Sequence, residues 1–161
     1  MTFNVLVLCT GNSARSILGE MLFNQLGQGR IRACSAGSKP AGQVNPVALE
    51  TLCKHGVPCE GARSKSWDEF ASSDAPEFDF IFTVCGNAAN EACPVWPGKP
   101  TTAHWGIPDP AHVEPIEARR EAFEVAYQSL KQRIEQFLAL PLETMRREDV
   151  LAAARRIHGD H

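Results

Sequence analysis

A cysteine and an arginine mark the two ends of a short loop near the N-terminus, with five residues between Cys9 and Arg15. The loop, residues 9–16, follows an apolar run and opens a stretch with helical periodicity. Backbone N–H groups of such a loop, together with a helix N-terminus, can surround a tetrahedral oxyanion. The same positive field lowers the pKa of a cysteine from about 8.5 to about 3.5–7.5, so Cys9 is predicted to be a thiolate nucleophile.

The other loop residues have the types that this chemistry needs. The planar guanidinium of Arg15 can bind two oxyanion oxygens, Gly11 allows close approach of the backbone, and Ser16 can donate a hydrogen bond to the thiolate. The alternative is a buried strand-end Cys9 with Arg15 on the helix surface. The strand before the loop and the helix after it favour the nucleophile. The predicted oxyanion-binding residues are Thr10, Gly11, Asn12, Ser13, Ala14, Arg15 and Ser16.

The segments around the loop alternate between strands and helices. Apolar runs predict strands at residues 3–8, 30–34, 78–84 and 101–105. Helical spacing predicts helices at residues 17–27, 46–56, 116–140 and 150–157. Asn45 before Pro46 indicates a helix start, and Ser66 with Glu69 fits a capping box. This alternation predicts an α/β fold with a parallel sheet covered on both faces, which binds ligands at the carboxyl ends of its strands.

Composition narrows the class of protein. The 161 residues are 43% hydrophobic and 22% charged, as in a single globular domain. A net charge of -3 argues against nucleic-acid binding. The N-terminus lacks the features of a secretory signal, and no run reaches the about 18 apolar residues of a membrane span. We therefore expect a cytoplasmic monomer whose six cysteines are free thiols.

Residues 7–16 resemble the signature of the arsenate reductases in the low-molecular-weight tyrosine-phosphatase superfamily. The resemblance implies a doubly wound fold with a four-stranded parallel sheet, and it implies reduction of arsenate to arsenite in arsenic detoxification. On this basis we expect an enzyme domain at residues 1–140 and a C-terminal helical extension at residues 141–161, packed on the domain or trailing from it. The resemblance continues in order through residues 35–37, 83–89, 93–94, 104–106 and 109–111.

The resemblance also implies a role for each matching residue. Cys9 is expected to attack arsenic, Arg15 to hold the oxyanion and Asp109 to act as general acid. Cys85 and Cys93 are expected to form a disulfide relay with Cys9. No cofactor is expected to be bound, and an external thiol reductant, thioredoxin or glutathione with glutaredoxin, would regenerate the enzyme. Seven residues separate Cys85 from Cys93, one more than in the best-known thioredoxin-coupled members, so the choice of reductant stays open.

A potassium site is a further property of some relatives. Asn12, Glu20 and Ser35 match the positions of potassium ligands there. Residues 64–66, Ser-Lys-Ser, offer no acidic partner where one is expected. We therefore expect no metal site in this chain.

Several of these assignments have alternatives. Cys85 could be a small apolar residue at a strand end, Cys93 a loop thiol without a role, and Asp109 a turn residue between two prolines. A zinc site from Cys85, Cys93 and His104 lacks the usual spacing and a fourth ligand. A phosphomonoesterase needs the same loop and general acid but neither relay cysteine, and phosphatases of the superfamily usually have an aromatic residue in place of Ala111. A non-catalytic oxyanion-binding module needs no reactive thiol.

Overall fold

A computed structural model of the chain describes residues 2–59, 61–70, 77–84 and 101–159. The strands of this part form a four-stranded parallel sheet in the order β2-β1-β3-β4. The chain passes from β1 outward to β2 and then back across β1 to β3, which confirms the doubly wound α/β fold. The elements are β1 (Phe3–Leu8), α1 (Arg15–Gly27), β2 (Ile31–Ala36), α2 (Pro46–Lys54), a 3-10 turn (Trp67–Phe70), β3 (Phe80–Thr83), β4 (Thr101–His104), α3 (Ile116–Leu138) and α4 (Arg147–Gly159).

β1 is buried on both faces, which explains its continuous apolar sequence. Val5 and Val7 lie on one face of the sheet, and Leu6 and Leu8 lie on the other. All four side chains are at most 1% exposed. α1 packs closely on the valine face, because a Cβ added at Gly19 would come within 3.1 Å of the Val7 side chain.

An aromatic cluster joins α1, β3 and α3. The ring centroid of Phe82 lies 5.4 Å from Phe23, 4.1 Å from Trp105 and 5.2 Å from Phe137. All four rings are at most 1% exposed. Trp105 Nε1 also donates to Ala154 O of α4 at 2.9 Å. The cluster therefore anchors the segment that follows β4, and α4 packs beside it.

Some element ends differ from the sequence predictions. β2 continues to Ala36, two residues further than predicted, because its last two residues pair with the end of β1. β3 begins at Phe80, since just before it Asp79 Oδ2 accepts a hydrogen bond of 2.8 Å from Asn4 N and replaces a backbone partner. α3 ends at Leu138, where the chain tightens into a turn.

The two predicted helix starts have different outcomes. The Asn45 side chain caps α2 by accepting a hydrogen bond of 2.9 Å from the backbone N–H two residues on. Ser66 Oγ accepts one of 3.1 Å from Asp68 N. The Glu69 carboxylate, however, binds Arg63 instead of completing a capping box. Only a 3-10 turn forms there.

α3 is a helix of 23 residues with one buried side. Phe123, Leu130 and Ile134 on that side are at most 1% exposed, while charged residues occupy much of the remainder. Within the described ranges, no helix is both long enough and apolar enough to cross a bilayer.

Candidate active site

The loop of residues 9–16 leaves β1 at the carboxyl end of the sheet, between the ends of β2 and β3. Gly37, directly after β2, is needed for this arrangement. A Cβ at that position would lie 2.4 Å from Thr10 O and 2.6 Å from Cys9 O, distances that no side chain can adopt. The loop therefore rests on the glycine backbone.

Three backbone carbonyl groups of the loop accept hydrogen bonds from one neighbouring segment of the chain. Those of Thr10, Gly11 and Ser13 accept hydrogen bonds of 2.8–3.0 Å from backbone N–H groups of residues 39–45. In a planar trans peptide the C=O and the following N–H point in opposite directions. The N–H groups after these three carbonyls therefore point away from the backbone donors that bind the carbonyls, an orientation suited to binding an anion.

The pocket has a volume of about 410 Å³ and is lined by residues 9–15 of the loop. Ser16, also predicted to bind the oxyanion, is fully buried and is not in this lining. Cys9 is part of this lining, although it is only 5% exposed. Its sulfur is not in a disulfide. The described residues at the pocket's rim are Ala41, Asn45, Asp109, Ala111 and His112.

Arg15, at the start of α1, lines the pocket and has one buried donor without a partner among the described residues. Its Nη1 donates to Ile107 O at 2.9 Å, and its Nη2 lies 3.5 Å from Asp109 Oδ2. Its Nε is buried and has no hydrogen-bond partner among the described residues. A buried guanidinium donor without a partner is expected where an oxyanion binds.

Asp109 is one of the residues that line the pocket. Its Oδ1 accepts a hydrogen bond of 2.9 Å from Ala111 N, while Oδ2 faces Arg15. His112 Nε2 is 3.9 Å from the same Oδ2. The turn and the catalytic interpretations of Asp109 are therefore compatible, because the turn is what directs the carboxylate into the pocket.

A buried polar cluster lies beside the loop, and it includes Lys65, for which the sequence predicts no partner. Asn12 is fully buried with a φ of 46°. Its side chain donates to Ser16 Oγ at 2.8 Å and to Ser35 Oγ at 3.0 Å, and accepts from Lys65 N at 2.9 Å. The Lys65 Nζ lies 3.6 Å from Glu20 Oε1. Glu20 and Lys65 come from distant parts of the sequence, so local patterns do not reveal the pair.

We next considered whether the residues around the loop could bind a metal ion. The described residues contain no group of three or more His, Cys, Asp or Glu side chains that could hold a metal ion. Where the Ser35 hydroxyl donates to the Glu20 carboxylate, the positive charge beside them is the Lys65 ammonium group.

Cys34 differs from Cys9 in its surroundings. Burial raises the pKa of the Cys34 thiol, and the nearby Glu20 carboxylate raises it further. Both effects disfavour a thiolate on β2. Among the described cysteines, Cys9 is the one that lines the pocket.

The predicted relay residues Cys85 and Cys93 lie outside the described residues, so their roles stay predictions. The chain before Cys85 is placed. Thr83 pairs with Leu8, and Val84 N donates to Leu8 O at 2.9 Å. β3 therefore ends beside the strand end from which the loop begins.

Comparisons with known proteins agree with this geometry. Residues 4–151 match the family model described as low molecular weight phosphotyrosine protein phosphatase. The arsenate reductase of Bacillus subtilis (strain 168) is 34% identical over 116 residues, which cover 72% of this chain and 80% of the relative. The crystal structure of an arsenate reductase from Archaeoglobus fulgidus has a TM-score of 0.61 and 29% identity, covering 81% of this chain and 98% of that one. The tyrosine phosphatase Wzb from Escherichia coli K30, in complex with sulphate, has a TM-score of 0.67 and 25% identity, covering 86% and 97%.

Proposed function

The chain belongs to the low molecular weight phosphotyrosine protein phosphatase family, and we propose that it is an arsenate reductase whose reaction begins at Cys9. The similarity to the Bacillus subtilis arsenate reductase supports this assignment. The observation that carries it is the loop: three of its carbonyls are bonded to residues 39–45, and its Cys9 lines one pocket with Arg15 and Asp109. Such a positively polarised cavity suits a tetrahedral oxyanion.

The first step joins arsenic to Cys9. The thiolate attacks arsenic(V), and a bond from arsenic to one oxygen breaks. That oxygen leaves as water after accepting a proton from Asp109. The distance of 3.5 Å between Asp109 Oδ2 and Arg15 Nη2 supports these roles, because it places the acid beside the group that holds the oxyanion.

The relay then reduces arsenic. Cys85 attacks the Cys9 sulfur, the electron pair of the sulfur–arsenic bond passes to arsenic, and arsenite leaves from a Cys9–Cys85 disulfide. Cys93 attacks Cys85, which frees Cys9 and leaves a Cys85–Cys93 disulfide. Thioredoxin, or glutathione with glutaredoxin, supplies the two electrons that reduce this bond. The proposal places the reaction in the cytoplasm, where thiols are kept reduced.

Hydrolysis of phosphotyrosine is the second candidate function. Cys9, Arg15 and Asp109 would suffice for it, and the similarity to the Wzb phosphatase supports it. Among the described residues that line the pocket, however, none is Phe, Tyr or Trp. The rim at Ala111 offers no aromatic wall to a phenyl ring, which favours a small inorganic oxyanion.

Residues 141–161 form, in our proposal, an extension that is packed on the reductase domain of residues 1–140. The packing of α4 supports an extension that is packed on the domain rather than one that trails from it. Val150 and Ala154 are both 2% exposed, and Ala154 O accepts the Trp105 indole hydrogen bond.

The test separates the two activities with cysteine variants. Arsenite release is measured with thioredoxin or with glutathione and glutaredoxin in separate reactions, and p-nitrophenyl phosphate hydrolysis is measured in parallel. Cys85→Ser and Cys93→Ser should lose repeated arsenite release and keep hydrolysis. The control Cys53→Ser, at an exposed thiol outside the pocket, should keep both activities.

Two outcomes would contradict the proposal. Wild-type rates of arsenite release from both Cys85→Ser and Cys93→Ser would exclude the relay. A wild-type protein that hydrolyses the phosphate ester but releases no arsenite with either reductant would be a phosphatase.

A further inference from the structure

Two charged side chains are buried next to the anion-binding loop and have no part in the proposed reaction. The side chains of Glu20 on α1 and Lys65 before the 3-10 turn are 12% and 7% exposed. Lys65 Nζ lies 3.6 Å from Glu20 Oε1 and donates to Arg63 O at 3.1 Å. Since an unpaired buried charge is costly, each group constrains the position of the other.

Asn12 connects this ion pair to the loop. The Ser35 hydroxyl donates its one proton to the Glu20 carboxylate, so its oxygen accepts the hydrogen bond of 3.0 Å from Asn12 Nδ2. Asn12 Oδ1 in turn accepts from the backbone N of Lys65 at 2.9 Å. Lys65, Glu20, Ser35 and Asn12 therefore form a closed ring of polar contacts, which we call the support ring.

The support ring determines the backbone of the loop at Asn12. Its φ of 46° lies in the left-handed region, which asparagine tolerates at a cost that other contacts must offset. The second amide proton of its side chain is bonded to Ser16 Oγ at 2.8 Å, so all the polar groups of the side chain are engaged. A change of φ at Asn12 would reorient the adjacent N–H groups of the loop.

We propose that the Glu20–Lys65 ion pair is a positioning element, which acts through Ser35 and Asn12 to hold the loop in its anion-binding conformation. The inference rests on the proposed function only in that the loop binds an oxyanion, and it does not require the relay. Without the ammonium group, the Glu20 carboxylate has no buried counter-charge. Its bond to Ser35 then changes, Asn12 loses its orientation, and anion binding weakens although Cys9 and Arg15 are intact.

The experiment measures how inorganic phosphate protects Cys9 from alkylation by iodoacetamide, with mass spectrometry of the Cys9 peptide as the readout. Lys65→Met should raise the phosphate concentration for half-protection by about tenfold or more, since breaking a buried pair leaves an uncompensated charge. Lys54→Met is the matched control. It removes a lysine that is also 3.5 Å from a glutamate, Glu124, but is 69% exposed, and it should match the wild type.

Two further measurements separate positioning from a general loss of packing. Ammonium chloride should restore protection in Lys65→Met, whereas tetramethylammonium chloride at the same ionic strength, whose cation is too large, should not. The double variant Glu20→Gln/Lys65→Met should bind phosphate more tightly than Lys65→Met alone, because no unpaired charge stays buried.

Two results overturn the inference: wild-type half-protection in Lys65→Met, or a weakening that neither ammonium nor the second substitution reduces. Phosphate protection needs neither Cys85 nor arsenate. A chain that releases no arsenite can therefore still show the effect of Lys65, so that failure of the proposed function and failure of this inference are distinguishable.

Discussion

Two lysine–glutamate pairs of nearly equal geometry lie in different surroundings in this protein. Lys65 Nζ is 3.6 Å from Glu20 Oε1, and Lys54 Nζ is 3.5 Å from Glu124 Oε1. The side chains of the first pair are 7% and 12% exposed, and those of the second are 69% and 30% exposed. The separation of the charges is nearly the same in the two pairs. Any difference in their effect on anion binding must therefore come from burial and from what each pair contacts.

The second pair belongs to a surface cluster that joins α2 to α3. His55 Nε2 lies 2.8 Å from Glu124 Oε1, and the His55 ring stacks on Tyr127 with 4.0 Å between centroids. None of these residues is in the described lining of the active-site pocket. Exposed pairs contribute about 0–1 kcal/mol, whereas breaking a buried pair costs about 3–5 kcal/mol. We therefore expect burial and connection to the loop, rather than the distance between the charges, to decide which ion pair affects anion binding.

The largest effect on arsenate turnover is expected at Asp109. This residue tests whether a charged side chain must be buried to influence the reaction. Its side chain lines the pocket 3.5 Å from Arg15 and is 39% exposed, a value between those of Lys54 and Glu124 in the surface pair. Asp109→Asn removes the proton donor, so turnover of arsenate should fall by about 10²–10⁴-fold, while phosphate protection of Cys9 changes little. Asp68→Asn, at an exposed aspartate outside the pocket, is the control. If phosphate protection weakened as much as turnover, Asp109 would act as a structural partner of Arg15 instead.

A smaller effect is expected from removing the link between the buried pair and the loop. Asn12→Ala loses three side-chain hydrogen bonds and leaves alanine at positive φ. If the net loss in anion-binding free energy equals two hydrogen bonds of about 1.4 kcal/mol each, phosphate protection should weaken by about 100-fold. Asn24→Ala is the matched control, since Asn24 also bonds backbone atoms, Ala33 N and O, but away from the pocket. That control should lower stability and leave protection unchanged. Equal protection in the two variants would refute the role of Asn12.

The next prediction concerns the free energy of unfolding, which should depend on the Glu20–Lys65 pair. Glu20→Gln leaves the Lys65 ammonium group buried without a carboxylate, so the free energy of unfolding should fall by about 3 kcal/mol, as measured by urea denaturation. The double variant Glu20→Gln/Lys65→Met should recover part of this loss. A cost below about 1 kcal/mol would instead place the pair in the same class as exposed pairs and remove the basis of the comparison.

The fold and the centre of the site could be predicted because their patterns are local. The apolar run of β1, the Asn45 cap and the spacing of Cys9 and Arg15 each involve neighbours in the sequence. The structure confirms the α/β fold, and it brings Asp109 to the same pocket. The catalytic roles of Cys9, Arg15, Asp109, Cys85 and Cys93, as well as a domain boundary at residue 140, stay predictions.

The support ring could not be predicted, because its members meet only in the folded chain. Lys65 lies within residues 64–66, the segment where an acidic ligand was expected, and its sequence context gives no partner. The contact depends on the hydrogen bond of 2.9 Å from Gly37 N to Lys65 O, which brings residues 64–66 beside the end of β2. Arg133 is similar: it lies in an amphipathic helix, yet it is buried, donates to Trp105 O at 3.1 Å, and has a pKa lowered by burial.

The smallest effect is expected at Glu124. Burial raises the pKa of Glu124, but hydrogen bonds from Gln128 and His55 and the nearby positive charges outweigh burial and hold that pKa below its ordinary value. A carboxyl whose pKa is lowered by folding stabilises the fold above the unfolded-state pKa of about 4.3, and this contribution is lost as the pH falls through the folded-state value.

Glu124→Gln should therefore lower the free energy of unfolding by at most about 1 kcal/mol at neutral pH, since the pair is exposed. Urea denaturation at neutral pH and below about pH 4 should show this difference narrowing as the wild-type carboxylate is protonated. Phosphate protection of Cys9 should be that of the wild type, because the α2–α3 cluster shares no described contact with the pocket or the support ring. Altered protection would show that a surface pair can act on the loop at a distance, and burial and connection would then no longer explain why the two lysine–glutamate pairs differ.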